Sequence, residues 1–164
     1  MVAGGEQAGG ALAATGLLRA VDHVGLAVPD LEAAIAFHTE VLGLVLVHRE
    51  ENTDADVSEA MLAAPGAPAG ATQVQLLAPL TPDSPIARFL DRSGPGLQQL
   101  AYRVDDVEEA ARTLRERGLR LLYDQPRPGT RGSRINFVHP RDTGGVLVEL
   151  VEPFRPPVPA GEDT

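Results

Sequence analysis

Neither cysteine nor lysine occurs anywhere in the 164 residues. Without cysteine there is no disulfide, no thiolate metal site and no sulfur nucleophile, which fits a reducing compartment. Without lysine, all 14 cationic side chains are arginine, a residue suited to carboxylate and phosphate recognition. Positive charge is scarce too: 23 acidic residues outweigh those 14 and leave a formal net charge of −9. That balance argues against sequence-independent nucleic-acid binding and against an anionic membrane surface. No apolar run approaches the ~20 residues that span a bilayer. The Ala- and Gly-rich start carries Glu6 and no basic stretch before an apolar run, so it does not read as a signal peptide. A cytoplasmic protein is expected.

What is present reads as one domain over residues 20–153, between a low-complexity tail (1–19) and a Pro-rich tail (154–164). Val21–Val28 is expected to be a buried strand ended by Pro29. Asp30 then caps a helix with Leu31, Ala34 and Ile35 at helical spacing, stopped near Gly43. Strands follow at 44–49, 57–62 and 72–77, with 50–56 as a polar turn. A linker helix within 81–96, started by Ser84 and Pro85, separates two halves. The order then repeats: a strand at 97–104, a helix with Asp106 and Glu109 at capping-box spacing, and strands at 119–123, 133–138 and 146–151.

The repeat can be laid out residue on residue. A shift of 76 places His23 on Gln99 and Asp30 on Asp106, a shift of 75 places Gly43 on Gly118, and a shift of 74 places Gln75 on Glu149. The chain therefore reads as α+β, two tandem βαβββ modules (20–80 and 97–153) forming one curved mixed sheet around a cleft.

Polar residues inside apolar strands cost free energy unless they are satisfied. His23, Gln75, Gln99 and Glu149 are four such positions. Taken singly, each reads as a hydrogen-bonded core residue or an edge residue. Together they occupy the same two places of each module, and pseudo-twofold packing would gather them in one cleft. One imidazole, two carboxamides and one carboxylate suit a divalent ion such as Co²⁺, Mn²⁺, Mg²⁺ or Zn²⁺.

At this point the segments DHVGLAVPDL, HREEN, VSEAM, TQVQLLAPL, RINFVHP and GVLVELVEP resemble the methylmalonyl-CoA epimerase family of the vicinal oxygen chelate, or glyoxalase-like, superfamily. The resemblance runs from about Val21 to Pro153. It implies metal ligands at His23, Gln75, Gln99 and Glu149, and an active-site glutamate at Glu59. The family pattern has a His-His pair where this chain has Gln98-Gln99, so one imidazole ligand is replaced by an amide. The implied chemistry is removal and return of the α-proton of an acyl-CoA, with Glu59 and Glu149 as the two bases. Arg127, Arg131 and Arg134, in or beside a Gly/Pro loop, could meet the CoA phosphates or be merely solvated. The resemblance further implies a homodimer. Two other readings stay open: an epimerase or decarboxylase for another α-substituted malonyl thioester, and a metal-free small-molecule-binding protein.

Overall fold

Eight strands form a single sheet in the computed structural model, which describes residues 16–156. The outer parts of the two expected tails, 1–15 and 157–164, lie outside the described residues. In module one, β1 (Ala20–Ala27) leads to α1 (Leu31–Ala36), which continues as a π-helical turn over Phe37–Val41. Strands β2 (Val45–Asn52), β3 (Val57–Ala63) and β4 (Gln73–Pro79) follow, and α2 (Pro85–Ser93) makes the link. Module two runs β5 (Gly96–Arg103), α3 (Val107–Glu116), β6 (Arg127–Pro128), β7 (Arg134–Val138) and β8 (Leu147–Glu152).

The strand order β2-β3-β4-β1-β5-β8-β7-β6 is the repeat made visible. Each first strand pairs in parallel with its module's last, β1 with β4 and β5 with β8, and the modules join where β1 and β5 run antiparallel. This is the mixed, curved sheet of two βαβββ units expected from the sequence.

Local chemistry explains the helices. Asp30 and Asp106 are both extended and accept hydrogen bonds from the amides of Ala33 (3.0 Å) and Glu109 (2.9 Å). The reciprocal half of the capping box does not form, because the Glu109 carboxylate turns to Arg112 instead. The Ser84 hydroxyl caps α2 with Pro85 in its first turn. Gly43 and Gly118 take positive φ where each module's first helical segment ends.

Two expectations are corrected. Residues 50–52 extend β2 rather than forming a turn, because Glu50, Glu51 and Asn52 pair with Glu59, Ser58 and Val57. The reversal falls on 53–56, with Asp56 in the left-handed region. Residues 119–123 do not form a regular strand. Leu121 makes one isolated bridge to Val138, while the Asn136 carboxamide takes both the N–H and the carbonyl of Tyr123 and so replaces the ladder there. The short β6 follows at Arg127–Pro128.

Alternation along the strands divides the sheet. On the convex face, Leu31 of α1 packs on Ala60, Leu62, Leu76 and Ala78, and Val107 and Ala110 of α3 pack on Val138 and Leu150. On the concave face, α2 closes one end by laying Ile86 against Ala27, Val57 and Leu77. The rest of that face mixes buried polar residues with Met61, Ala101 and Val151.

Candidate active site

Five buried polar side chains gather beside a cleft of about 550 Å³, and two of them, His23 and Glu149, line it together with Asp22, Met61 and Thr130. His23, Glu59, Gln75, Gln99 and Glu149 are all buried, none more than 6% exposed. Sheet register brings them together. Gly25 of β1 stands between Gln75 of β4 and Gln99 of β5, while Glu149 lies across from Ala101, itself the partner of His23. Glu59 enters from β3, two residues from Met61, which pairs with Gln75.

The side chains form one connected hydrogen-bond chain. Gln75 donates to Glu59 at 2.7 Å and to the Thr130 hydroxyl at 3.2 Å, and that hydroxyl donates to the other Glu59 oxygen at 2.7 Å. Gln99 donates to Gln75 Oε1 at 3.1 Å and to Glu149 Oε2 at 2.6 Å. His23 Nε2 lies 3.1 Å from the same Glu149 oxygen, and its Nδ1 lies 2.9 Å from Asp22. Arg103 in turn holds Asp22 through two nitrogens, at 2.9 and 2.7 Å.

Electrostatics follow from this wiring. Burial alone would disfavour a charged His23, but the carboxylates of Asp22 and Glu149 outweigh it and raise its pKa to about 9. Burial would also raise Asp22, yet His23 and Arg103 hold it below the usual carboxylate range. Glu59 is pushed up to about 7, chiefly by burial; the Thr130 hydroxyl works against this, and Glu50, opposite on β2, adds to it. A carboxyl group poised there can take or give a proton near neutrality.

The donor set fits a divalent ion. His23 Nε2, Gln75 Oε1 and Glu149 Oε2 all lie close to Gln99 Nε2, at 3.5, 3.1 and 2.6 Å. Among the described residues, no group of three or more His, Cys, Asp and Glu side chains is arranged to hold a metal ion. The set here has only two such residues, and its remaining donors are amide oxygens.

The three arginines part company. Arg131 lines the cleft, with its backbone in the left-handed region (φ 57°). Arg134 is ion-paired with Glu108 and Glu152, and Arg127 stacks 3.9 Å over the Tyr123 ring. Sequence reasoning missed Asp22, Arg103, Thr130 and Gly25. A signal existed for Asp22, since an acid adjoining a ligand-type histidine suits an orienting partner. Thr130 offered none.

The profile of the Glyoxalase/Bleomycin resistance protein/Dioxygenase superfamily matches residues 22–137, and the chain belongs to that superfamily, whose enzymes generally use a divalent metal. Within it, the chain belongs to the methylmalonyl-CoA epimerase family. The crystal structure of methylmalonyl-CoA epimerase from Mycobacterium tuberculosis is 54% identical, with a TM-score of 0.82 over 87% of this chain and 93% of that one. A methylmalonyl-CoA epimerase solved in complex with methylmalonyl-CoA and NH4+ is 42% identical, with a TM-score of 0.77 over 83% and 94% of the two chains. The ethylmalonyl-CoA/methylmalonyl-CoA epimerase of Cereibacter sphaeroides is 37% identical over 132 residues, 79% of this chain and 95% of that protein. Among the described residues, no helix is long and apolar enough to cross a membrane.

Proposed function

We propose that this protein interconverts the 2R and 2S forms of methylmalonyl-CoA through an enolate. The observation that carries the reading is the chain Glu59–Gln75–Gln99–Glu149, which links two buried carboxylates by way of two amides. The hydrogen removed lies between a thioester and a carboxylate, so the electron pair of its C–H bond can pass into the thioester carbonyl. Glu59 takes that proton on one face, and the Glu149 carboxyl returns one on the other. Thr130 and Gln75 hold Glu59 in place, and the apolar packing under α2 keeps water from the far end of the face. His23, Gln75, Gln99 and Glu149 are the residues to hold a divalent ion (Co²⁺, Mn²⁺, Mg²⁺ or Zn²⁺), which when bound supplies positive charge to the developing enolate oxygen. Arg131, which lines the cleft, would meet a phosphate of CoA in this reading.

The natural state in this reading is a cytoplasmic homodimer. Val45, Leu46 and Val47 of the edge strand β2, with Val41 and Leu42 beside them, leave an exposed apolar strip that a second copy would cover. The Cereibacter relative, an ethylmalonyl-CoA/methylmalonyl-CoA epimerase, keeps a longer α-substituent in view.

The test is α-proton exchange of methylmalonyl-CoA in D₂O with added Co²⁺ or Mn²⁺. Deuterium uptake well above a Glu59→Gln control supports the reading, and uptake no faster than that control sinks it.

A further inference from the structure

We propose that Gln99 is a gate on the metal position: its amide NH₂ stands between the Gln75 and Glu149 oxygens, and a cation enters only when the carboxamide swings back and presents its oxygen. The inference rests on the metal-assisted reading above and concerns this chain's own departure from its family's imidazole at that corner.

Amide orientation is fixed from outside in. Both Glu59 oxygens are engaged by donors, one of them from Gln75, whose nitrogen also meets Thr130. The Gln75 nitrogen is thereby committed outward and its Oε1 faces the centre. Gln99 then meets that oxygen at 3.1 Å and Glu149 Oε2 at 2.6 Å. Two acceptors can be served only by an NH₂ group. The group has no lone pair to offer a metal, and its hydrogens occupy the space a cation needs. The Gln75 and Glu149 oxygens already face inward, and the Gln99 amide fills the space between them.

The hydrogen-bonded ring is also chemically closed. Among the described residues, the one buried side-chain atom without a hydrogen-bond partner is Gln98 Oε1, next door in sequence and not part of the ring. A cation must therefore displace two formed hydrogen bonds, whereas histidine at position 99 would offer a lone pair and leave Gln75 Oε1 without this donor.

The experiment measures Zn²⁺ and Mg²⁺ affinity, by competition with a chromophoric chelator, for wild type and Gln99→His. Side-chain amide spectra of ¹⁵N-labelled wild type are recorded alongside. Tighter binding by Gln99→His, by about ten- to a hundredfold from the loss of two net hydrogen bonds, supports the gate. The Gln99 NH₂ pair, recognised by its absence from the variant, should exchange slowly with solvent without metal and shift on saturation. Equal affinities, or a Gln99 pair unmoved at saturation, overturn the gate and leave the metal-assisted reading standing. Absence of binding to both proteins overturns that reading and the gate with it. Should Gln99→His not fold, Gln99→Glu keeps the side-chain length, removes the NH₂ and carries the same affinity expectation.

Discussion

Gly25 and Gln99 are cross-strand partners on β1 and β5, and a Cβ built at Gly25 would lie 2.5 Å from Gln99 Cγ. Gly25 has no positive φ, so what demands glycine is the space it leaves. Gly25→Ala must push Gln99 out of the ring or shift the backbone, costing about 1–3 kcal/mol as overpacking does. Urea denaturation reads the cost, and loss of slow exchange at the Gln99 amide shows that the ring has opened.

Removing the proposed base has a defined size. Glu59→Gln keeps the shape and can still meet Thr130, but cannot take a proton. Turnover should fall by about 10²–10⁴-fold, the usual worth of a general base, with little change in melting temperature. A stereospecific assay of epimerisation in each direction measures it.

Asp22 is a positioning residue, since it touches His23 and Arg103 rather than the reacting carbon. Asp22→Ala should weaken metal binding by about 10–100-fold, as loss of a histidine's outer partner does, while Glu59-dependent exchange at saturating metal changes less. An affinity unchanged by the substitution would remove the orienting role.

Acid should weaken the fold at one identifiable point. Asp142 is held down to about 2 by the Arg120 side chain and backbone amide, from 3.8. A depressed carboxyl stabilises the fold fully above its unfolded pKa, and the contribution fades as pH falls from 3.8 toward 2. The melting-temperature gap between wild type and Asp142→Asn should accordingly be present at pH 7 and close near pH 2.

The convex core should respond by the ordinary rule for cavities. Leu76 is fully buried against Leu31, Leu62 and Ala78. Leu76→Ala should cost about 2–5 kcal/mol, read as a lower urea midpoint at unchanged slope.

Much of the site was legible because repetition amplifies weak signals. A lone strand glutamine says little, but Gln75 and Glu149 at the same place in each copy define a corner twice. The helices were legible through their caps, Asp30, Ser84 and Asp106, whose chemistry is local. Thr130 could not be read, because its bond to Glu59 spans 71 residues and depends on how a module-two loop crosses to module one. Residues 119–123 misled for a related reason. Their apolar pattern is that of a strand, yet the buried Asn136 side chain captures Tyr123 and breaks the ladder. Side-chain competition for backbone groups leaves no periodic trace.

His23 and Glu149 touch across 126 residues of sequence, and that separation bears on how the protein is made. During synthesis, module one leaves the ribosome first and holds its own strands and its own core. Its half of the ring remains open until β8 has emerged and laid itself beside β5, because Glu149 rides on that last strand. Nascent or prematurely ended chains thus have Glu59 without an opposing acid, so they lack the pair of groups needed to invert a carbon centre. Competence arrives in one step, with the final strand.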